Sequence, residues 1–535
     1  MIGFELSGSL WTTTLLTFVT YRFIVVIYNL TLHPLRQILG PWTWSATRLP
    51  FHIALVRGTI IHDIQSLHKK YGPVLRIAPN EVTFAHPNAY AAILQPRPGQ
   101  PQFLKHPLWW AQMRGQPVSL LSAIDPGKHA QIKRVLSPAF TTRALRGHGL
   151  FIQRHVNLLV QLLMELVMDD TRSERAGQQN ENKENSGREK GRKRNAKVNM
   201  TPWFTTFDIF GDLGFGKSFD CLEHSRYHSW VLFLFEGVKA AAFIISTRYH
   251  PLLDSLLIKC VPPSLRRVQQ NHFQQIIDKV NRRLNWELSR PDVMSFVLDE
   301  EGNSKLPDGE LQATFSVLIT AGSETSATAL TGSLNFLVQT PDYAITLDAL
   351  RDLPYLNAVL HEGLRLCPPI PRNLPRLVPE GGRMVCGVWL PDGIPVSIQA
   401  YSLNRSPKYF HNATTFIPER WLKSVTTDPN SPFNKDTRHA VQPFSIGPRS
   451  CIGQDLAWAE LRLILAKLVW SFELETVKGE EIKWEELRTF LLIERKPVNV
   501  RLTLRAGGLV IHFAYQYRTV FVTRLGTMAN SEYCT

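Results

Sequence analysis

Long hydrophobic runs with helical spacing dominate the chain. An apolar stretch from about Asp308 to Val338 predicts a helix of roughly 45 Å, because about thirty residues each rise 1.5 Å. Two shorter runs, Tyr355–Leu366 and Asp455–Phe472, also follow the helical period. Near the C-terminus, Leu509–Val522 is rich in apolar residues with strand propensity. The pattern therefore predicts three core helices and a strand-like tail.

The first apolar segment, Leu10–Leu32, contains one charge, Arg22. Its length is enough to span a bilayer, and the arginine can extend towards the interface. Glu5 is the one charge before the segment, and three arginines follow it: Arg36, Arg48 and Arg57. The positive-inside rule therefore places the body of the protein in the cytosol. We expect a retained anchor, since no small-residue cleavage site follows; a buried N-terminal helix is the alternative.

A charged segment, Asp169–Lys197, interrupts the hydrophobic pattern and holds no aromatic residue and no aliphatic residue larger than alanine. Such a segment cannot bury enough surface to fold, so we expect a disordered loop. Its basic end, Arg188–Lys197, is also typical of a nuclear signal or a nucleic-acid patch. It lacks interleaved aromatic residues, and we therefore expect no nucleic-acid partner.

Composition narrows the class of protein. The 535 residues are 44% hydrophobic and 20% charged, with a net charge of +15, which is typical of a globular chain with a large core. Length alone would fit two or three domains. The six cysteines show no paired spacing, which favours a reducing compartment over a disulfide framework.

One cysteine lies in the loop Phe444–Gly453, FSIGPRSCIG, just before the amphipathic run that begins at Asp455. The glycines let the backbone turn tightly around the sulfur of Cys451, where a side chain would collide with a flat macrocycle. The N-terminal N–H groups of the following helix favour thiolate over thiol. A thiolate held in this way suits the axial position of a haem iron; a buried structural cysteine is the alternative.

The long apolar helix contains a second candidate site, AGSETS at Ala321–Ser326. Ala321 and Gly322 leave room for a ligand, and the Thr325 hydroxyl can hydrogen-bond locally and open a small groove. Glu324 and Thr325 form a candidate acid–alcohol pair. Polar residues on an ordinary core helix are the alternative.

A third candidate is a Glu–Arg pair on a predicted helix. Glu362 and Arg365 are three residues apart, and alone they would form a surface ion pair worth about 0.2–0.5 kcal/mol. Arg420, within PERW at Pro418–Trp421, lies in the chain between that helix and the cysteine loop. A buried group of these three residues is stable only when all its hydrogen bonds are made.

In this order and spacing, the three motifs resemble the cytochrome P450 superfamily over about Leu32–Arg505. The haem-binding signature is matched at each fixed position: Phe444, Gly447, Arg449, Cys451 and Gly453. The resemblance implies a cytochrome P450 fold, mainly α with a small β-rich lobe, and an N-terminal transmembrane helix. It divides the chain into an anchor (1–32), a proline-containing hinge (33–50), a haem-thiolate catalytic domain (51–505) and an atypical tail (506–535).

The resemblance also implies roles for the candidate residues. Cys451 would ligate the iron of haem b, and Glu324 with Thr325 would relay protons to dioxygen. Glu362 and Arg365 would lock with Arg420 to fix the cysteine loop. The haem propionates would be held by four cations: His129, Lys133, Arg376 and Arg449. His129 and Lys133 stand where the family carries an aromatic residue and an arginine; lysine keeps the charge but loses the bidentate fork.

The partners implied are NADPH-cytochrome P450 reductase, the endoplasmic reticulum membrane and a small apolar substrate such as a terpenoid or polyketide intermediate. Basic residues around the cysteine loop would attract the reductase: Lys128, Lys133, Arg134, Arg143, Arg438, Arg449, Arg462 and Lys467. Substrate contacts are expected at apolar positions that could equally be core: Phe315, Leu318, Ile319, Ala321, Ile370, Leu374 and Leu491. Trp203–Glu223 is similar to filamentous-fungal, isotrichodermin hydroxylase-like monooxygenases of secondary metabolism.

The chain departs from the family in two places. Most of a helix expected after Thr340 is absent, and residues 506–535 extend past the usual end; gene-model artefacts would explain both. Two alternative functions follow: a reductase-independent haem-thiolate isomerase or dehydratase, and a non-catalytic haem protein weakened by the missing helix. The intact AGSETS motif favours an oxygenase, because the alternatives need no proton delivery.

Overall fold

The computed structural model describes residues 2–505 apart from 111, 113–114, 180–194, 201–202, 225–228, 287–291, 340–352 and 495. Its helices are α1 (Ile2–Thr31), α2 (Trp42–Ala46), α3 (Leu49–Arg57), α4 (Ile60–Tyr71), α5 (Ala89–Leu94), α6 (Pro107–Trp110), α7 (Pro126–Leu136), α8 (Thr142–Gln179), α9 (Trp203–Phe215), α10 (Ser229–Arg248), α11 (Pro251–Cys260), α12 (Pro263–Leu284), α13 (Asp308–Gln339), α14 (Leu353–Leu366), α15 (Ala400–Asn404), α16 (Lys423–Thr427) and α17 (Gln454–Ser471). Its strands are β1 (Val74–Ala78), β2 (Glu81–Phe84), β3 (Leu104–Lys105), β4 (Asn195–Met200), β5 (Asn373–Leu377), β6 (Arg383–Val385), β7 (Val388–Leu390), β8 (Pro395–Ile398), β9 (Phe472–Thr476) and β10 (Val498–Leu504).

The largest hydrophobic core surrounds α13, which packs against α9, α12, α14 and α17. The three helices predicted from the hydrophobic pattern are α13, α14 and α17, and each lies within about two residues of its predicted bounds. Because α13 is covered on most sides, its apolar residues run around the whole helix rather than along one stripe.

Short sheets form the rest of the body. Five strands pair in the order β1-β2-β8-β5-β3, in which β2 and β8 are parallel and the other pairs antiparallel. Strands β4, β10 and β9 form a second sheet, and β6 pairs with β7. The prediction of a mainly helical fold with small sheets is therefore confirmed.

Two helices in the described part of the chain are long and apolar enough to cross a membrane. One, Thr142–Asp169 within α8, is nearly half buried and packs against α9 and α17, as a core helix does. The other, Trp11–Thr31 within α1, is almost wholly exposed. At its end the Asn29 side chain donates to the Ala46 carbonyl at 2.9 Å. The N-terminal helix is thus a candidate membrane span whose end is fixed to the body.

The predicted hinge and the predicted charged loop each contain ordered structure. Within residues 33–50, Leu35 is buried in the core beneath the five-stranded sheet, and α2 begins at Trp42. The expectation of disorder is wrong at both ends of 169–197, because α8 continues to Gln179 and β4 begins at Asn195 and pairs with β10. Residues 180–194 lie outside the described residues, as do the regions after Thr340 and Arg505 where the family departures were noted.

Candidate haem site

The cysteine loop turns back on itself immediately before α17. The Cys451 N–H donates to the Phe444 carbonyl at 2.9 Å, which closes the loop. Gly447 has a φ of +80°, and a Cβ there would clash with the backbone oxygen of Leu94, so both conformation and space require glycine. A Cβ on Gly453 would meet no protein atom within 4 Å. The fold itself therefore does not require glycine at 453, whereas a flat ring beside the sulfur would.

Without a bound metal, the surroundings of Cys451 favour its thiol form over the thiolate. Its side chain is exposed on one side, yet burial by the surrounding loop raises its pKa. The Gly453 N–H bonds to the sulfur, and Lys133 adds a positive charge; both lower the pKa but do not outweigh burial. The Gly453 N–H at the helix end thus favours the thiolate, as expected, and a bound cation such as a metal would complete the ionisation against the effect of burial.

Four basic side chains lie close together beside this loop: Lys105, His129, Arg376 and Arg449. Burial, followed by the charges of Arg449 and Lys105, lowers the pKa of His129 to about 3. Burial, followed by Arg449 and Arg376, lowers the pKa of Lys105 to about 6. The Nη1 atom of Arg376 has no hydrogen-bond partner among the described residues. Such a cluster favours a bound anion, because an anion relieves the repulsion and accepts the unused donor.

Lys105 was missed by sequence reasoning because no local motif marks it. It joins the cluster because β3 pairs with β5, which sets Lys105 opposite Arg376. Its ammonium group also donates to the Leu121 carbonyl and lies 4.3 Å from the ring centroid of Trp110. A strand pairing between residues some 270 positions apart therefore completes the cationic site.

Lys133 contacts the cysteine loop itself. Its ammonium nitrogen donates to the Pro448 carbonyl at 2.8 Å and to the Ser450 carbonyl at 3.3 Å. In the same way Arg449 donates to the carbonyls of Ala123 and Ile124 at 2.5 and 2.7 Å. Lys133 therefore ties α7 to the cysteine loop, and its expected contact with a haem propionate stays a prediction.

On α13, the acid and the alcohol of AGSETS face different surroundings. Thr325 Oγ1 donates to the Ala321 carbonyl at 2.6 Å, the local bond that its position predicts. Thr325 is half-buried and Ala321 exposed, whereas Glu324 is 3% exposed. Adjacent helical side chains point about 100° apart. The Thr325 hydroxyl therefore lies with Ala321 on the more exposed side of α13, which we call the open stripe, and the Glu324 carboxyl group faces the interior.

Three of the residues on α13 that were expected to contact substrate lie off its open stripe. Phe315, Leu318 and Ile319 are buried in the main core, which favours the alternative that these three positions are core; substrate contact there stays a prediction. Val317 is half-buried and precedes Ala321 and Thr325 by one and two turns, which puts all three on one face. Sequence reasoning missed Val317, although its spacing of four residues from Ala321 was a usable signal.

The remaining expected contacts are dispersed. Leu374 and Leu491 pack against one satellite core, whereas Ile370 is 43% exposed. The space expected beside Gly322 is filled, because a Cβ there would lie 2.8 Å from the Phe210 ring. Gly322 therefore admits a neighbouring helix, α9, rather than a ligand.

Glu362, Arg365 and Arg420 meet in a fully buried group. Arg365 donates to both oxygens of Glu362 at 2.7 and 2.8 Å, and Arg420 Nε donates to Oε1 at 3.0 Å. The rest of Arg365 is satisfied by three backbone carbonyls, and Arg420 also pairs with Asp436. Burial alone would raise the pKa of Glu362, but the two arginines hold it below its ordinary value.

An aromatic series links this group to the cysteine loop. Trp421 Nε1 donates to Glu362 Oε2 at 2.9 Å, and the Trp421 ring stacks on His361 at 5.0 Å. The ring centroids of His361 and Trp458 are 4.8 Å apart, and those of Trp458 and Phe444 are 5.9 Å apart. Packed aromatic rings therefore connect the buried ionic group to the cysteine loop. The sequence motifs did not show this connection.

Comparison with known proteins agrees with this geometry. The cytochrome P450 family model matches residues 44–502. A cytochrome P450 monooxygenase, cpaH, from Aspergillus oryzae is 38% identical over 92% of this chain and 93% of its own length. An averantin hydroxylase from Dothistroma septosporum is 36% identical over 93% and 91% of the two chains. A trichothecene C-15 hydroxylase from Fusarium sporotrichioides is 35% identical over 93% and 99%.

These matches span almost the whole body, including each motif around Cys451, Thr325 and Glu362. A family of this kind carries haem, and the residues present fit one: a thiol beside a glycine that leaves room for a flat ring, and a cationic cluster with an unused buried donor. The chain belongs to the cytochrome P450 family, and the relatives it resembles are monooxygenases of fungal secondary metabolism.

Proposed function

We propose that this monooxygenase hydroxylates or epoxidises a small apolar molecule, such as a terpenoid or polyketide intermediate, with electrons from NADPH supplied through a reductase. The observation that carries the proposal is the arrangement of Thr325 on the open stripe of α13 together with Cys451 at the tip of its glycine loop. Haem, once bound by Cys451, supplies the oxygen activation.

The side chains of the protein would bind the haem propionates and relay protons. Lys105, His129, Arg376 and Arg449 would hold the two propionates, since their mutual repulsion favours carboxylates. The Thr325 hydroxyl would hold a proton at Oγ1, and the buried Glu324 would replenish it from the interior side. A relay of this kind is useful only to an oxygenase, because isomerisation and dehydration need no external protons and electrons.

The open stripe supports an apolar substrate. Val317 and Ala321 present carbon atoms beside the Thr325 hydroxyl, and Glu310, two turns before Val317, is paired with Lys128 at 2.7 Å. Burial of an apolar ligand there would exclude water from the reacting centre.

Membrane anchoring in the endoplasmic reticulum, with the body in the cytosol, is the second part of the proposal. Beyond α1, exposed apolar side chains continue over neighbouring elements, with Trp42 71%, Leu49 63% and Ile53 41% exposed. Helix α3 packs on α10, which leads into α11, where Leu252 is 90% exposed. A bilayer would cover this surface together with α1.

For the reductase, the side of the molecule around the cysteine loop is basic. Arg134 on α7, Arg143 on α8 and Arg462 on α17 are exposed, and these helices surround the loop. An acidic partner would dock there with a gain mainly in association rate.

Two measurements test the function. The reduced CO complex should show the red-shifted Soret band of thiolate ligation, and Cys451→Ser should abolish it. Turnover of a substrate should require NADPH and reductase, and Thr325→Ala should retain the CO band while diverting electrons into hydrogen peroxide. Turnover without NADPH and reductase, unaffected by Thr325→Ala, would show an isomerase or dehydratase instead.

A further inference from the structure

A groove opens where α1 meets the body of the protein. It has a volume of about 710 Å³, and its walls come from four helices: Val26 belongs to α1, Trp44 to α2, Leu49 to α3 and Asp63 to α4. Helix α1 packs on α2, α2 on α3 and α3 on α4, so the groove runs in that order from the N-terminal helix into the body. Its volume lies within the roughly 300–1,000 Å³ of pockets that hold a small organic ligand.

The α1 wall of this groove is held in one place by hydrogen bonds. Asn29 is 8% exposed, and its side chain donates to the Ala46 carbonyl at 2.9 Å. The Asn29 carbonyl oxygen accepts a hydrogen bond from Arg76 Nη2 at 2.9 Å, which ties α1 to β1. The same wall is continuous with the candidate membrane span Trp11–Thr31. The groove is therefore a fixed part of the fold that adjoins the segment proposed to cross the bilayer.

The groove is apolar beside α1 and charged at its other end. Leu49, Ile53 and Arg57 line it at intervals of four residues, which puts them on one face of α3. Leu49 and Ile53 are 63% and 41% exposed. The α3 wall thus changes from apolar to charged over eight residues, about 12 Å of helix.

The charged end carries one cation and one anion. Arg57 is exposed and forms no ion pair within the described residues. Asp63 accepts a hydrogen bond from Thr59 Oγ1 at 2.6 Å, and no cation pairs with it in the part of the chain that the structure describes. A phosphocholine or phosphoethanolamine head group carries a phosphate and an amine, which complement these two charges. An inorganic anion would complement only Arg57 and would leave the apolar walls in contact with water.

Two tryptophans lie between these ends. Trp42 and Trp44 line the groove from α2, and Trp42 is 71% exposed. Tryptophan is enriched at the level of lipid head groups, where its ring is in an apolar layer and its N–H in a polar one. The order of apolar, aromatic and charged surface is therefore the order met along a phospholipid from its acyl chain to its head group.

We propose that this groove binds one zwitterionic glycerophospholipid of the bilayer, with an acyl chain against Val26 and Leu49 and the phosphate on Arg57. The inference rests on the membrane anchoring proposed above, because the bilayer supplies the lipid. It goes further by assigning a discrete ligand, since a membrane anchor by itself needs only apolar surface.

The test counts the lipids bound to purified, haem-loaded, full-length protein. The protein is freed of native lipid in detergent and mixed with dioleoyl phosphatidylcholine, and native mass spectrometry measures the fraction that retains one lipid per chain. Two variants change the groove: Leu49→Asp at its apolar end and Arg57→Gln at its charged end. The matched controls are Leu252→Asp and Arg36→Gln. Leu252 on α11 is 90% exposed, Arg36 is exposed just after α1, and neither lines the groove.

The wild type should retain one phosphatidylcholine, and both controls should match it. Leu49→Asp should weaken binding at least tenfold, because it sets a charge against the acyl chain. Arg57→Gln should weaken it by about tenfold, the effect of one lost hydrogen bond to a charged group. Phosphatidic acid should bind less tightly than phosphatidylcholine, because its head group has no amine for Asp63, and inorganic phosphate should displace neither lipid.

A wild type that retains no lipid, or an equal loss in Leu252→Asp, would overturn the proposal. Phosphatidic acid that binds as tightly as phosphatidylcholine, or displacement by inorganic phosphate, would overturn it in favour of a simple anion site. A dimer in place of the lipid complex would show that a second copy of the chain covers the groove. The reduced CO band of each variant verifies that it is folded. Failure of the proposed anchoring would appear separately, as release of the wild type on alkaline extraction of membranes, because the lipid count is made in detergent.

Discussion

Replacing Glu460 by glutamine should remove a pH-dependent loss of stability. The folded protein holds the carboxyl group neutral, with its pKa raised by burial from 4.5 to about 8. The unfolded chain releases that proton near pH 4.5. Between these values the folded state binds one proton more than the unfolded state, so the free energy of unfolding falls as pH rises.

The size of the effect follows from the two pKa values. At 1.36 kcal/mol per unit, the wild type should lose about 3 kcal/mol between pH 5 and pH 8 through this group alone. The loss is absent well below pH 4.5 and complete above about pH 8. A glutamine at 460 is close to glutamate in size and has no proton to release, so its stability lacks this contribution.

The assay is urea unfolding of haem-loaded protein in detergent, followed by tryptophan fluorescence at pH 5.5, 7 and 8.5. All other titrating groups are shared, so the difference between Glu460→Gln and the wild type isolates this group. Relative to the wild type, the free energy of unfolding of Glu460→Gln should increase by about 2–3 kcal/mol between pH 5.5 and pH 8.5. The exposed Glu475 provides the control, and Glu475→Gln should show no such trend. Parallel curves for Glu460→Gln and the wild type would refute the buried neutral acid.

Further predictions concern the loop and its supports. Arg420→Ala should destabilise the holoprotein by about 3–5 kcal/mol in urea, because it leaves the buried Glu362 with one arginine fewer; an unchanged midpoint would contradict the buried group. Gly447→Ala should yield little CO-binding protein when the CO spectrum is read, since a Cβ meets the Leu94 oxygen at positive φ. Arg134→Glu should slow reduction by the reductase at low salt and match the wild type at high salt in stopped-flow traces; equal rates throughout would exclude docking there. Alkaline extraction should leave the full-length protein in the membrane pellet and release a variant lacking residues 1–32 more readily.

Local motifs predicted much of the site because their chemistry is contained within a few residues. The turn around Cys451 depends on glycines within the loop and on a helix that follows at once. The Thr325 bond to Ala321 closes within one helical turn. The Glu362–Arg365 pair is likewise three residues apart on one helix. Each of these features is set by neighbours in sequence, so the pattern of residue types was sufficient.

Long-range packing decided the rest. Lys105 enters the cationic cluster only because β3 pairs with β5, and Gly322 is filled by Phe210 only because α9 crosses α13 there. Because α13 is apolar on most sides, hydrophobicity alone does not separate Phe315 from Val317, and only the four-residue spacing from Ala321 marks Val317.

The sequence by itself determined the family, the glycine loop that carries Cys451 and the three core helices. Only the tertiary structure showed that burial outweighs the helix end at Cys451, that Lys133 binds loop carbonyls, and that burial raises the pKa of Glu460 on α17. The physical reason is that pKa and hydrogen-bond choice depend on desolvation and on atoms brought together from distant parts of the chain, and neither quantity is written in local residue order.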